Sequence, residues 1–407
     1  MKTDLDVLIV GGGLVGSSLA IALHGCGLRT GLVESEAPRA PAARAEPAHR
    51  DERNLALSRA SVNALTALGV WAHAAERATP IRRIHVSRQG EFGAVRLDAG
   101  EHGVDAFGAV LPASELGRAL ALRLADCREL VRHAPATLTA LAPAGEAVRV
   151  RLRTPQGEAE FATRLLVGAD GTASFVRTSL GIQTHNVDYA QTAFVATIAP
   201  ERADGCAYER FTATGPLALL PLPDRRAGVV LTVPSADAER VAALDDAAFA
   251  ELVQQRFGWR LGRLSRPGRR FAHALKRVEA ERLVAQRAVL VGNAAQTLHP
   301  IAAQGFNLGL RDALTLHEML VDRGCDDPGD PDLLADYAAR RASDRAGTIA
   351  MSDALARYTA GEAAPLKLAR SIGLIALDRL PPLKHALVRR GMGFRGTTPR
   401  LALEGLR

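Results

Sequence analysis

Gly11, Gly13 and Gly16 stand in the spacing Gly-x-Gly-x-x-Gly directly after the apolar run Leu5 to Val10, and Glu34 closes the next apolar run, Thr30 to Val33. This arrangement can hold a dinucleotide. Gly11 permits a tight turn, Gly13 lets the backbone approach a pyrophosphate, and Gly16 lets a helix pack closely on a strand. The N–H groups of Leu14 and Val15 then open a helix whose positive end faces the phosphates. Glu34 can accept hydrogen bonds from a ribose diol, which favours an adenosine with a free 2′-hydroxyl. FAD and NAD both meet that requirement, and this pattern does not separate them.

A second glycine turn, Gly168-Ala169-Asp170-Gly171, follows the apolar Leu165–Val167. It can be an ordinary Asp-Gly turn or a cofactor contact through Asp170 and Gly171, and taken alone it leaves both open. A third runs from Ala288 to Asp312: a short apolar strand enters Gly292-Asn293, and His299-Pro300 leads to Gly305-Phe306-Asn307.

The third stretch resembles the second flavin motif of the group A flavoprotein aromatic hydroxylases. Its core, His299-Pro300-Ile301-Ala302-Ala303-Gln304-Gly305-Phe306-Asn307-Leu308-Gly309-Leu310-Arg311-Asp312, is similar to the signature of the ubiquinone-biosynthesis hydroxylase family, in its 2-polyprenyl-6-methoxyphenol hydroxylase-like branch. Asn293 and Gln296 stand where most relatives have Asp and His, a variant typical of this subgroup, and Ala303 replaces the family's usual Gly. The resemblance extends to Asp51-Glu52-Arg53-Asn54-Leu55-Ala56-Leu57-Ser58, Asp170-Gly171 and Gly215-Pro216-Leu217-Ala218, and so covers nearly the whole chain.

It implies FAD as cofactor and NAD(P)H as a transient co-substrate. NAD(P)H reduces FAD, O2 adds to give a C4a-hydroperoxyflavin, and its distal oxygen passes to an activated phenol ring, here a polyprenylphenol. FAD contacts are expected from Gly11, Gly13, Leu14, Val15, Gly16, Glu34, Arg53, Arg118, Asp170, Gly171, Gly292, Asn293, Pro300, Gly305, Phe306 and Asn307. Asn293 can bond a ribityl hydroxyl, more weakly than a charged Asp would. The helix opening at Gly305 can turn its N–H groups to the pyrimidine end of the flavin, where the reduced ring is anionic. Arg53, His299 and Pro300 are candidates for the flavin face, with no catalytic side chain assigned. The family's substrate wall maps to the apolar Phe211–Pro223, with Phe211, Leu219, Leu220 and Pro221 as lining residues; ordinary core packing is the alternative.

Several elements must position these groups. The first fingerprint needs strand, helix to about Leu23, and strand. The Ala/Pro/Arg-rich Ala37–His49 has no periodicity and reads as a loop. Ser58 is an N-cap and Gly69 the stop after Leu68. Strands are expected near Ile81–Ser87 and Phe92–Leu97, and a helix from Ser114 to about Leu124. Val148–Arg153 and Glu158–Phe161 form a hairpin around Thr154-Pro155-Gln156-Gly157. Strands dominate 190–235, Ala243–Phe257 reads as one helix, and helices follow Gly305. The expected fold is α/β: a Rossmann-like FAD-binding domain of para-hydroxybenzoate-hydroxylase type from segments 1–75, 100–180 and 282–350. Inserted in it is a mostly antiparallel substrate domain of 76–99 and 181–281, and 351–407 forms a basic helical end.

Composition sets the outer limits. The chain has 407 residues with 47% hydrophobic and 23% charged side chains, so it is neither globally disordered nor fibrous. Residues 1–365 carry 42 basic and 42 acidic side chains, whereas the last 42 residues carry nine basic and two acidic ones. The net charge of +7 therefore sits at the C-terminal end, and with only 4% aromatics no nucleic-acid partner is expected. Cys26, Cys127, Cys206 and Cys325 are scattered, without metal spacing, as free thiols of a reducing compartment would be. No signal peptide or apolar run of membrane length is visible, so a cytoplasmic location is expected. Basic amphipathic helices over 366–407, broken at Pro381-Pro382, suit a peripheral place at the inner face of the membrane, a contact within a ubiquinone-biosynthesis complex, or packing on the body. Two other functions remain open on these residues: a hydroxylase of a soluble aromatic, and a flavin-binding assembly subunit.

Overall fold

A computed structural model describes residues 3–37, 53–301, 304–357 and 364–403. Nearly all of the loop expected at Ala37–His49, together with Asp51, Glu52 and Ala303, lies outside the described residues. Strands and helices are numbered along the chain. Among the described residues the strands form three sheets. The first contains β1 (Leu5–Val10), β2 (Thr30–Val33), β8 (Val131–His133), β9 (Thr137–Ala144), β10 (Ala147–Thr154), β11 (Gly157–Gly168), β18 (Val284–Ala285) and β19 (Ala288–Leu290). Its centre is parallel, in the order β19-β11-β1-β2-β8. Val7, Leu8 and Ile9 are fully buried in it, as a strand covered on both faces must be.

β11 serves three partners, β10, β1 and β19. Its first half closes the predicted hairpin with β10, Thr154 opposite Gly157, and its second half runs parallel to β1, Val167 opposite Ile9. One strand therefore carries the chain from the hairpin to the Gly168 turn.

The second sheet holds β5 (Arg83–Arg88), β6 (Ala94–Asp98), β12 (Thr184–Pro200), β13 (Cys206–Thr212), β14 (Gly215–Pro221), β15 (Ala227–Pro234), β16 (Leu264–Ser265), β17 (Phe271–Ala280) and β20 (Gln296–Thr297). It is antiparallel except where β13 lies parallel to β5. The third joins β3 (Asn54–Ser58), β4 (Thr79–Pro80) and β7 (Gly108–Pro112).

Helices α1 (Leu14–Ala22), α2 (Arg59–Ala67), α3 (Ala113–Ala125), α4 (Phe175–Ser179), α5 (Ala238–Ala242), α6 (Asp246–Phe257), α7 (Gln304–Asp322), α8 (Pro331–Arg357), α9 (Ala364–Arg379), α10 (Pro381–Gly391) and α11 (Arg400–Leu403) complete the chain. Ser58 caps α2 by accepting from the Ser61 N–H, and Gly69 follows at φ +73°, as expected. The helix expected over Ala243–Phe257 is present as α6, which begins three residues later, at Asp246. Asp245 accepts the Ala248 N–H and starts α6 afresh after Ala243 and Leu244. The strand expected from Ile81 begins at Arg83, and that expected from Phe92 begins at Ala94. The expected C-terminal break is present: α9 ends at Arg379, and Pro381 and Pro382 open α10, where a missing N–H costs nothing.

Candidate active site

The first fingerprint is shaped by two close contacts. Gly11 sits at φ +106°, and a Cβ there would lie 2.4 Å from the Ala169 carbonyl oxygen. A Cβ on Gly16 would lie 1.9 Å from the Gly11 carbonyl oxygen, so only glycine lets α1 start this close to β1. Gly13 differs: a Cβ there would meet nothing within 4 Å. It is the N-cap of α1 with no side-chain cap, and no acidic residue occupies the first turn. With no side-chain cap, the first N–H groups of α1, at Leu14 and Val15, are left to take an anion as partner. The Gly12 N–H donates to Glu34 Oε2 at 2.8 Å, which fixes the carboxylate beside the turn, while the Ser35 hydroxyl and Glu36 N–H donate to Oε1.

The third motif folds against the first. Gly292 (φ +61°) lies under Val15, and a Cβ on Gly309 of α7 would come within 2.9 Å of both Gly292 Cα and Val15 Cγ2. A Cβ on Gly305, in the first turn of α7, would meet no atom within 4 Å among the described residues. The uncapped start of α1, the Glu34 carboxylate and the space beside Gly305 fit the phosphate, ribose and ring ends of an FAD.

A buried ionic network holds the third motif in place. Asp312 accepts from the Gly292 N–H (3.2 Å), Gln296 Nε2 (2.7 Å) and Arg341 Nε (2.8 Å). Arg341 and Arg311 both bind Asp344, at 2.9 and 2.8 Å, and Arg311 also donates to the Asn307 carbonyl. Arg345 donates to Gln296 Oε1. Burial pushes the Asp344 carboxyl up, but Arg311 and Arg341 outweigh it and hold it below its ordinary value. Burial pulls Arg341 down, and Asp312 and Asp344 more than reverse that. Sequence reasoning gave Arg311 and Asp312 no site role. Their signal was an Arg-Asp pair inside the apolar Leu308–Leu316 stretch, but their partners come from α8.

Other expected residues use their side chains within the protein. Asp170 accepts from the Ser174 hydroxyl and the Val176 N–H, so its carboxylate caps α4. Gly171, at φ +81°, lies in open space. Asn307 is buried; its Oδ1 accepts from the Ser58 N–H (2.9 Å) and Ser61 hydroxyl (2.7 Å), and its Nδ2 donates to the Ala56 carbonyl. Phe306 beside it is half-buried against the first core. Arg118 pairs with Glu115 and donates to the His73 carbonyl, on a helix whose Gly117 lies against Leu14. Arg53 is exposed and its carbonyl accepts from the Ala113 N–H. The Asn293 amide is half-buried and has no hydrogen-bond partner among the described residues.

His299 is buried and faces the second sheet. Its Nδ1 accepts from the Ile301 N–H at 3.2 Å, its Nε2 lies 3.3 Å from Gln191 Oε1, and the Tyr189 ring meets it edge-on. With Nδ1 accepting, the proton sits on Nε2 and the ring is neutral. Burial pulls its pKa down to about 4 against the opposing charge of Asp353. Pro300 beside it is exposed.

The expected substrate wall divides in two. Strand alternation sends Tyr208, Leu217 and Leu219 into the core under α6, with Phe249, Val253 and Phe257. Leu219 therefore does not line the opposite face, and Pro221, two residues on, shares its side. Leu220 faces the other way, toward Ile81, Val110 and Ala207, and Phe211 has the parity of Ala207. Of the four expected lining residues, Leu220 points toward the three-stranded sheet, Phe211 shares its face of the second sheet, and Leu219 and Pro221 point away. The apolar run hid this because both faces are covered.

Comparison with known proteins places this geometry. Residues 4–351 match the FAD binding domain family. The chain is 38% identical to ubiquinone hydroxylase UbiL of Rhodospirillum rubrum over 95% of its own length and 89% of that protein's. It is 32% identical to the 3-demethoxyubiquinol 3-hydroxylase of Escherichia coli, over 96% and 98% of the two chains. The p-nitrophenol 4-monooxygenase PnpA of Pseudomonas putida has the same fold, with a TM-score of 0.78 over 97% of this chain and 99% of that one, at 16% identity. The chain therefore belongs to the FAD-dependent aromatic monooxygenases, in the family of the ubiquinone-biosynthesis hydroxylases.

Proposed function

We propose that the protein hydroxylates the ring of a polyprenylated phenol in ubiquinone biosynthesis, consuming NAD(P)H and O2. The observation that carries the reading is the similarity to two ubiquinone-pathway hydroxylases over nearly the whole chain, and the apolar face of the second sheet at Ala207, Phe211, Ala218 and Leu220 agrees with a hydrophobic substrate. FAD, when bound and reduced, supplies the activated oxygen. The protein's part is to bind, orient and exclude water. In this reading Gly11, Gly13, Leu14, Val15 and Gly16 offer backbone N–H groups and close approach to the pyrophosphate, and Glu34 holds the adenosine ribose. Gly292 and the free Asn293 amide meet the ribityl chain, and Gly305, Phe306 and Asn307 offer the backbone of the α7 start to the ring. Asp170 acts by shaping the Gly168–Gly171 turn, and Arg53, Arg118 and Pro300 flank the cofactor. Segments 1–75, 100–180 and 282–350 form the FAD-binding domain, and 76–99 with 181–281 form the substrate domain.

No helix among the described residues is long and apolar enough to cross a membrane. On α9, however, Leu368, Ile372 and Ile375 are 53%, 56% and 40% exposed and lie on one stripe with Arg379. The opposite side of α9 packs through Leu374 and Leu377 on β6. An apolar stripe ending in Arg379, followed by the exposed Leu380 and Leu383, supports a peripheral seat on an anionic membrane, where the substrate's tail resides.

The test supplies FAD-loaded protein with NADPH, a polyprenylphenol and isotopically heavy O2. A product ring carrying one heavy oxygen supports the reading. NADPH consumption with only hydrogen peroxide formed, for every prenylphenol offered, counts against it.

A further inference from the structure

β13 presents alternate residues to opposite sides of the second sheet. Cys206 and Tyr208 enter the core under α6, and Arg210 donates to the Arg256 carbonyl on that side. Ala207, Glu209 and Phe211 share the other face. Across the ladder Glu209 stands beside Val86 of β5 and Ala218 of β14. Val86 packs with Leu374 and Val388 beneath α9 and α10, while Ala207 and Leu220 pack with Ile81 and Val110 of the third-sheet region. Glu209 therefore lies at the seam where the C-terminal helices and the small sheet both meet the substrate face.

A carboxylate is out of place there. It makes no hydrogen bond and no ion pair with the described residues. Its side chain is half-buried between Val86 of β5 and Ala218 of β14. Buried carboxylates are ordinarily paired or hydrogen-bonded, because an unpaired one loses its hydration without compensation. The neighbouring charges do not offer a partner. On the same face Arg88 pairs with Glu91 at 2.8 Å, and Glu91 with Arg370 of α9 at 2.6 Å, all nearly inaccessible. On the C-terminal helices Lys384 pairs with Glu101, Asp378 with Arg96, and His385 with His102. Toward the far end of the sheet lie His273, neutral His299 and the Arg277–Asp353 pair.

We infer that Glu209 is the base of the reaction: its carboxylate, isolated among Val86, Ala218 and Phe211 on the substrate face, accepts the hydroxyl proton of the bound phenol. This rests on the phenolic substrate proposed above. The phenol O–H bond breaks, a carboxyl O–H bond forms, and the electron pair stays on the phenolate oxygen, which enriches the ring carbons that receive oxygen. The proton returns to that oxygen when the hydroxylated ring loses its ring hydrogen to solvent and becomes aromatic again. Isolation suits the task. Burial pushes the Glu209 carboxyl up to about 7. It is thereby a stronger base than an ordinary carboxylate, nearer the value of about 10 for a free phenol.

The experiment uses FAD-loaded wild type, E209Q and E209D with two readouts. Hydroxylation of a prenylphenol is followed against pH, and binding of a prenylated nitrophenol, whose phenol and phenolate absorb differently, is followed by difference absorbance. Wild-type hydroxylation rises with pH through about 7; E209Q is slower by about 10²–10⁴ at neutral pH, regains rate only as the phenol ionises unaided, and E209D lies between. Wild type binds the neutral nitrophenol and loses affinity as it becomes phenolate, because the carboxylate repels it; E209Q binds the phenolate at least as well as the phenol. An E209Q protein with normal FAD affinity, wild-type rate and an unchanged binding preference overturns the assignment. If wild type itself neither binds the nitrophenol nor hydroxylates any phenol, it is the phenolic reading that fails.

Discussion

Replacing Asp312 by Asn alters one atom and should be felt both in stability and in FAD binding. Asp312, Asp344, Arg311 and Arg341 form a cluster of two negative and two positive charges, each at most 3% exposed at the side chain. Asn leaves it one positive charge in excess. It also turns an acceptor into an N–H₂ that faces donors, since the Asp312 oxygens receive Gly292 N–H, Gln296 Nε2 and Arg341 Nε. Removing one partner of a buried pair costs about 3–5 kcal/mol. Against a total stability of about 5–15 kcal/mol, the variant still folds but with a clearly lower denaturation midpoint. Loss of the Gly292 anchor loosens the turn that meets Val15, and a weakening worth ~1.4 kcal/mol lowers FAD affinity about tenfold. Asp344→Asn is the control: it breaks the same network but touches neither Gly292 nor Gln296. The assay is denaturant unfolding of both variants, followed by FAD titration through flavin fluorescence quenching. The reasoning is refuted if D312N loses less than about 1 kcal/mol, or if its FAD affinity matches that of D344N.

Other outcomes follow from the same structure. Gly16→Ala places a methyl 1.9 Å from the Gly11 carbonyl oxygen and should lower both stability and FAD affinity, whereas Gly13→Ala, whose methyl meets no protein atom within 4 Å, should leave stability unchanged and weaken FAD binding alone; thermal melts and FAD titrations of the two distinguish them. His299 has a folded pKa of about 4, below the ~6.5 of a free His, so the unfolded chain binds the extra proton and stability falls as pH drops from 6.5 to 4, by up to about 3 kcal/mol. His299→Gln should flatten that slope in thermal melts taken across the window. Glu209 acts with the opposite sign: its raised folded value makes stability fall as pH rises from about 4.5 to about 7, so E209Q should be the more stable protein at pH 8. Changing Leu368, Ile372 and Ile375 together to Ser should reduce co-sedimentation with anionic vesicles several-fold and leave turnover of a short-chain phenol unchanged.

The β-α-β start was legible to the residue because its signals are local. Strand, glycines and helix occur within about 30 residues, and Leu5–Val10 and Thr30–Val33 appear as expected. The hairpin at Thr154–Gly157 and the Ser58 cap were legible for the same reason. The division of Leu219 from Leu220 was not, because alternation is invisible in a run that is apolar on both faces. Nor could the side-chain duties of Asn307 and Asp170 be read. Asn307 bonds residues nearly 250 positions away, and only the fold brings them together. Arg311 and Asp312 were missed since Arg341 and Asp344 lie one helix on. Glu209 escaped notice because a lone Glu in a strand reads as a solvent-facing residue until its face is known.

The most direct test of the central claim is the rate at which NADPH bleaches the flavin of the FAD-loaded protein under air-free conditions, with and without a polyprenylphenol. The hydroxylase reading predicts oxidised-flavin bands on loading, slow bleaching by NADPH alone, and marked acceleration when the prenylphenol is added. A protein that takes no FAD even in excess, or whose flavin is reduced at one rate whatever phenol is present, contradicts it.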